Sequence, residues 1–398
     1  MTIETLVEAR QIILIMTSVH PWNDPRIFYK EALSLSKRYQ VEVHAPADFK
    51  LREENEVKVF GLPRYQKRYL RFLNWIRLLF RALISPARYI HFHDPELIPV
   101  AIVLKLLTSK KVIYDVHENL PASIMTKPWI PKFMRKSLAW ILDIGERKAS
   151  RFFDGIILAE FSYLERFHSL PTLIQSVVNY PPKAMGEKME RQREFSGEFS
   201  CISADRKNDP VRFVYAGVIS KTRGIEEIIK SFGIVHHEGL DFHLFLAGSW
   251  FSADLRREME ELMRNLDISE HITITGKIPF HEMRNLYQQA DVGLALLHPE
   301  ENYVTSFATK IFEYMATGIP VLASDFPLWK VLVLGHQCGL TANPLDPVEI
   351  SRKISLLINE QCLRCRLGRN GWQKFNSHYH WETQEQIIWD FYQKISGG

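Results

Sequence analysis

The chain has 398 residues, 46% of them hydrophobic and 24% charged, with a net charge of +4. That length exceeds one ordinary core and predicts about two domains, and the balance excludes a disordered or fibrous chain. Its longest apolar runs, at 12–16 and 331–334, are far shorter than the ~18 residues of a membrane-spanning helix.

The first ten residues carry Glu4 and Glu8 and no basic start before an apolar stretch, which argues against a secretory signal and for a cytoplasmic location. Four cysteines agree with that compartment. Cys362 and Cys365 form one CxxC with no second Cys or His pair nearby, so no zinc or redox site is read there. Charge is uneven: residues 1–182 hold 26 Lys and Arg against 18 Asp and Glu, and the remainder 24 against 28. No acid occurs between Glu56 and Asp94, where Lys58, Arg64, Lys67, Arg68, Arg71, Arg77, Arg81 and Arg88 intervene.

Short apolar runs at 12–17, 41–45, 89–92, 112–116, 155–159 and 176–178 predict strands, with amphipathic stretches such as 27–39 between most of them. Strands separated by helices imply a parallel sheet covered on both faces. Pro181 and Pro182 end the series, and the charged, aperiodic stretch 183–210 reads as a linker. A second series follows, with strands at 211–216, 242–247, 272–275, 292–296 and 320–323. The economical architecture is two doubly wound α/β domains, at 1–182 and 211–380. Residues 381–398 are read as a C-terminal helix returning toward the N-terminal domain. In such sheets ligands bind beyond the carboxyl ends of the strands, so polar residues just after strands are the informative ones.

Residues 305–320 read TSFATKIFEYMATGIP. Ile311, Phe312, Met315 and Ala316 make a helix face, Gly318 and Pro320 stop it, and Ser306 or Thr309 is placed to cap its start. A helix N-terminus presents free N–H groups suited to a diphosphate, Lys310 adds charge there, and Glu313 is placed to accept from a ribose diol. An ordinary amphipathic helix with a solvated Lys and Glu has the same pattern. The stretch resembles the donor motif of family 4 retaining glycosyltransferases (glycosyl transferases group 1) of GT-B fold, in particular members that build polysaccharides. The resemblance implies two Rossmann-like domains facing across a cleft. It matches Glu313 to the ribose-binding Glu and Ser306, Phe307, Ala308 and Thr309 to the segment holding the distal phosphate. Thr305 stands where the family often has a first Glu against the donor sugar.

The family's other motifs are matched in part. Residues 213–227, FVYAGVISKTRGIEE, place Gly217 after a strand and Arg223 where the family usually has a Lys that neutralises the leaving diphosphate. Val218 replaces a frequent Arg, with Lys221 or Lys310 available to compensate. His117 matches a histidine that points at the transferred sugar, and residues 93–97, HDPEL, match a segment of polysaccharide-building members. Asp24 and Arg26 resemble a DxRI pattern, with Asp24 equally placed to cap the next helix. Asp24, Arg26, Asp94 and Glu118 are assigned to the acceptor side. His91, His93, Asp94 and His117 could suggest a metal, but the resemblance is to metal-independent enzymes, so none is expected.

Residues 65–83, YQKRYLRFLNWIRLLFRAL, interleave apolar residues with Arg71, Arg77 and Arg81. The pattern fits an interfacial helix on anionic lipid as well as a sheet-covering helix with a solvated basic edge. The resemblance implies retaining transfer of a sugar from a UDP- or GDP-linked donor to a saccharide or lipid-linked saccharide, with the nucleotide sugar as co-substrate and no cofactor. Alternatives are a UDP-sugar 2-epimerase of similar fold and a non-catalytic partner subunit. An anionic membrane surface is a partner reading through residues 64–83, with peripheral attachment at the inner face; no nucleic-acid module accompanies the basic stretch.

Overall fold

The computed structural model describes residues 10–127, 130–187 and 209–397. The backbone forms two units, Met1–Asn179 with Trp381–Gly398, and Tyr180–His380. The linker reading of 183–210 falls mostly on 188–208, outside the described residues.

The first unit is built on eight strands: β1 (Ile12–Met16), β2 (Gln40–Pro46), β3 (Leu51–Glu54), β4 (Val57–Leu62), β5 (Tyr89–Phe92), β6 (Lys111–Val116), β7 (Gly155–Leu158) and β8 (Leu173–Ser176). Their order is β3-β4-β2-β1-β5-β6-β7-β8, parallel except for the β3/β4 pair. Central strands such as β1, IILIM, are continuous apolar runs because helices cover both faces. A π-helical turn (Ile27–Ala32) runs into α1 (Leu33–Ser36) on one face. On the other face lie α2 (Phe72–Ile84), α3 (Ile98–Leu107) and the C-terminal end of α5 (Lys132–Ser150). Two shorter helices are α4 (Leu120–Thr126) and α6 (Leu164–Phe167).

The second unit contains β9 (Val211–Ala216), α7 (Ile225–His237), β10 (Phe242–Ala247), α8 (Ala253–Asn265), β11 (Ile272–Gly276), α9 (Phe280–Tyr287) and β12 (Val292–Ala295). The chain continues through α10 (Glu301–Val304), α11 (Thr309–Ala316), β13 (Val321–Ser324), α12 (Pro327–Gly335), β14 (Gly339–Ala342), α13 (Pro347–Asn359) and α14 (Gln361–Ser377). Its sheet is wholly parallel, in the order β11-β10-β9-β12-β13-β14. Reversal of direction on either side of β9 makes the carboxyl end of that strand the switch point where a ligand crevice opens.

Sequence and structure differ at identifiable places. The strand expected at 176–178 is Leu173–Ser176, because Val178 leaves the ladder and its N–H donates to the Gln384 side chain. β3 and β4 form an unexpected hairpin whose turn residues Asn55 and Glu56 have φ of 49° and 64°, the mirror-image turn of a two-residue hairpin. Strand β3, LREE, is almost wholly exposed and so carries no apolar period to find. A 3-10 turn (Arg68–Arg71) precedes α2, so the regular helix starts later than the amphipathic pattern suggests.

The last helix, α15 (Trp381–Gly397), packs in the first unit. It buries Trp381, Ile388, Phe391, Tyr392 and Ile395 against Ile13, Ile15, Ile157 and neighbours. Each such side chain contributes ~1.5–3 kcal/mol when fully buried. Lys37 pairs with Glu385 at 2.6 Å, and the Trp381 indole donates to Ser34 Oγ at 2.8 Å. Gly155 lets the helix approach: a Cβ there would stand 2.5 Å from Phe391 Cζ and 2.7 Å from Ile395 Cδ1. Gly155→Ala should therefore destabilise the first unit by ~1–3 kcal/mol. Thermal unfolding and limited proteolysis at the C-terminus check this; an unchanged Tm and cleavage pattern would contradict the close packing.

Candidate functional site

The loops after β9, β10, β11 and β12 and the start of α11 surround a cavity of about 510 Å³ in the second unit. Two glycines let the β9 and β10 loops run side by side. Gly217 has φ +135° and Gly248 φ +152°, and a Cβ on Gly248 would lie 1.7 Å from Gly217 O. Only glycine fits that approach.

Arg223 and Lys310 flank Gly217. A Cβ on Gly217 would lie 3.2 Å from Arg223 Nη1 and 3.3 Å from Lys310 Nζ. Lys310 is 8% exposed, its ammonium has no hydrogen-bond partner among the described residues, and it sits 4.2 Å from the centre of the Tyr215 ring. Burial, then the neighbouring Arg223, lower its pKa to about 7, while Glu313 opposes the shift. Lys221, the other basic residue named as a compensating charge, is exposed and pairs with Glu258. The structure therefore sets Lys310 beside Arg223.

Helix α11 begins at Thr309 with Ala308 at its N-cap and no side-chain cap. Neither Ser306 nor Thr309 caps it, contrary to expectation. Ser306 Oγ instead donates to Asn302 O, and Thr309 lies already inside the helix. The Phe307, Ala308 and Thr309 N–H groups have no protein acceptor among the described residues. They stay available, with the positive end of the helix, for an anion. Trp329 pins this loop, its indole donating to Ser306 O at 2.7 Å. Glu313 lies on α11 and accepts from the Tyr287 hydroxyl at 2.6 Å.

Gly217, Arg223, Ser306, Phe307, Ala308, Thr309, Lys310 and Glu313 thus line one cavity. Thr305 does not: it ends α10, and its hydroxyl folds back to donate to Glu301 O at 2.8 Å. Tyr287, Tyr303, Trp329 and Gly248 also line the cavity and escaped the sequence reading. The aromatic residues come from separate elements with no shared spacing; only Gly248, directly after a strand, carried a signal like that of Gly217.

The first unit gathers its candidates at the carboxyl ends of β1, β5 and β6. His117 stacks on His93 with centroids 4.6 Å apart, and its Nδ1 lies 3.3 Å from Asp115 Oδ1. Burial is the largest influence on His117 and, with Arg26, brings its pKa to about 3 despite Asp115, so the ring is neutral at physiological pH. Such a ring exchanges hydrogen bonds with a ligand and holds no proton to give. Asp94 is 2% exposed and accepts from Thr17 Oγ1 and Ser18 N. Arg26 is 5% exposed, 2.7 Å from Glu31 and 2.9 Å from Asp115, and donates to Val177 O. Asp94 and Arg26, assigned to the acceptor side, are thus buried scaffold groups. Asp24 accepts from the Arg26 and Ile27 N–H groups, and Glu118 is exposed.

Glu31, His91, His93 and Asp115 bring potential metal-ligand atoms within 4.8 Å of one another. The Arg26 guanidinium already bridges the two carboxylates. Burial raises the Glu31 pKa well above the usual range and Asp115 adds to this; at Asp115 burial is outweighed by Arg26 and His117, which hold its carboxyl well below. An ion held there would have to displace the guanidinium from both carboxylates.

Lys310 yields a pH prediction. Its folded pKa of about 7 lies below the ordinary 10.5, so between these values the unfolded chain binds more protons and stability rises with pH. Lys310→Met should stabilise the ligand-free protein by ~2 kcal/mol at pH 6 and progressively less as pH approaches 10. Thermal melts of both proteins from pH 6 to 10 measure this; equal Tm differences across that range would contradict a buried, unpaired ammonium.

Residues 202–374 match the family model described as glycosyl transferases group 1. The capsular polysaccharide biosynthesis glycosyltransferase CapM of Staphylococcus aureus is 27% identical over 198 residues, covering 48% of this chain and 49% of CapM. The chain thus spans about half the length of this curated relative. Sucrose-phosphate synthase from Thermosynechococcus elongatus superposes with a TM-score of 0.75 at 17% identity, over 98% of this chain and 100% of that one. Anabaena HepE in complex with UDP-glucose superposes with a TM-score of 0.68 at 16% identity, over 97% and 100%. At these identities the structural likenesses establish the fold. The chain has the GT-B fold, and its residues 202–374 are related to the glycosyl transferases group 1.

Proposed function

We propose that this chain transfers a sugar from a UDP- or GDP-linked donor to a saccharide or lipid-linked saccharide in glycan or surface-polysaccharide biosynthesis, retaining anomeric configuration. The observation that carries this reading is the second-unit cavity. Two cations flank a glycine, unpaired amides open a helix, and a carboxylate stands within the same helix. The cations and amides suit a diphosphate, and Glu313 suits a ribose diol. HepE, a structural neighbour, is described with UDP-glucose bound, and CapM is named for capsular polysaccharide biosynthesis.

In this reaction the bond from the anomeric carbon to the diphosphate oxygen breaks, and its electron pair leaves with the nucleoside diphosphate. Arg223, Lys310 and the 307–309 amides stabilise that developing charge. The acceptor hydroxyl attacks from the face the diphosphate leaves, and its proton passes to the departing phosphate oxygen. His117, being neutral, orients a sugar hydroxyl and Glu313 anchors the ribose. No side chain becomes a covalent nucleophile. Thr305, with its hydroxyl turned to its own helix, leaves donor-sugar selection to other groups. The reading places the enzyme in the cytoplasm, where nucleotide sugars are made.

Arg223→Ala should lower kcat by ~10²–10³, the usual loss when one donor to a developing anion is removed. Glu313→Gln should lower kcat/KM by ~10–150-fold, the worth of one charged hydrogen bond. Nucleoside diphosphate release from a panel of UDP and GDP sugars, with and without acceptor, measures both. Unchanged turnover in both variants would refute the donor site, and epimer formation from UDP-N-acetylglucosamine without acceptor would refute transfer.

A further inference from the structure

The outer surface of the first unit carries an apolar and basic face that the donor site does not use. On α2, Asn74, Leu78 and Ala82 are buried toward the sheet. Phe72, Ile76, Phe80 and Ile84 repeat at the same four-residue interval, displaced by two residues or about 200° of helix, so they point the opposite way. They are 45%, 45%, 62% and 83% exposed. A helix apolar on both sides has a second partner to meet.

The neighbouring helices extend this surface. Helix α2 packs beside α3, and α3 touches α5. Leu78 and Ala82, Ala101 and Leu104, and Ala149 from these three helices share one core cluster on one face of the sheet. Leu106 and Leu107 are exposed at the end of α3. On α5, Phe133, Met134, Trp140 and Ile141 are exposed, each pair recurring after seven residues and so falling on one stripe.

Charge identifies the partner. Residues 57–142 contain fifteen Lys and Arg but four acids, Asp94, Glu96, Asp115 and Glu118. Asp94, Glu96 and Glu118 follow β5 or β6, Asp115 lies within β6, and Asp94 and Asp115 are buried, so α2, α3 and the first half of α5 carry no acid. Arg77, Lys132 and Lys136 are exposed on or beside the apolar stripes. Aromatic and aliphatic side chains bordered by cations, with acids excluded, match the interface of a bilayer with anionic headgroups.

We propose that α2, α3 and α5 form a docking face for an anionic lipid bilayer, with Phe80 and Trp140 entering the acyl boundary and Arg77, Lys132 and Lys136 contacting headgroups. The face belongs to the first unit and the donor cavity to the second, and the two share no residue. It deepens the reading from the basic stretch 64–83 by recruiting two further helices.

Sedimentation of the full chain with vesicles tests this directly, comparing phosphatidylcholine alone with phosphatidylcholine containing about one third phosphatidylglycerol. Binding should be at least ~10-fold tighter to the anionic vesicles and should weaken in high salt. Phe80→Glu with Trp140→Glu should remove it, while the solvent-facing positions leave Tm and nucleotide binding unchanged. Arg77→Gln should weaken binding roughly fivefold, the worth of one basic residue near such a surface. Equal binding to both vesicle types, absence of binding, or wild-type binding by the double variant would overturn the proposal. So would a dimer in light scattering that Phe80→Glu dissolves, which would assign the face to a second copy of the chain.

Discussion

Two positive groups beside one glycine set the terms for the second unit. Arg223 and Lys310 both reach the space where a side chain on Gly217 would begin, and the Lys310 ammonium has no hydrogen-bond partner among the described residues. Burying an ammonium without a partner costs stability, and its pKa of about 7 is the signature of that cost. The surrounding structure over-determines the arrangement. Gly248 brings the β10 loop onto Gly217, Trp329 holds the 306 loop, and α11 fixes Lys310 and Glu313 on one short rigid element. A diphosphate would relieve the repulsion and satisfy the free amides together, so the site is strained toward its ligand.

The first unit solves a related problem with different chemistry. Arg26, Glu31 and Asp115 are nearly or fully buried, and three histidines stack around them. Here the cation is supplied internally and two carboxylates compete for it. Arg26 and His117 hold the Asp115 carboxyl well below the usual range, while burial pushes that of Glu31 well above it. The network consumes residues that sequence alone would offer to a substrate. What stays partly accessible is the His117 side chain, 13% exposed and neutral, with Glu118 next to it in the chain.

Much of the architecture was legible because parallel strands buried on both faces are unbroken apolar runs, as in 12–16 and 211–216. Strands β3, β4 and β14 were not. The first is charged and exposed, β4, VKVFGL, is interrupted by Lys58 and Gly61, and β14, GLTA, is too short and mixed to stand out. In the site, Gly217, Arg223, Lys310 and Glu313 could be named because each follows a strand or shares one helix. The tyrosines could not: Tyr215 lies within β9, Tyr287 lies on another helix, and Tyr303 sits on α10. Capping was misread at Ser306 and Thr309 because hydroxyls suggest caps by type alone. The site instead leaves the helix start open. Burial of Lys310 is a tertiary property and had no sequence signal.

The central claim is that the second-unit cavity recognises the diphosphate of a nucleotide. The most direct measurement is the affinity of UDP against UMP, and of GDP against GMP, by calorimetry on the wild-type protein and on Arg223→Ala. The account predicts that one diphosphate binds at least ~10-fold more tightly than its monophosphate, and that the gap closes in the variant. Equal affinities for diphosphate and monophosphate, or a gap that survives loss of Arg223, would contradict it.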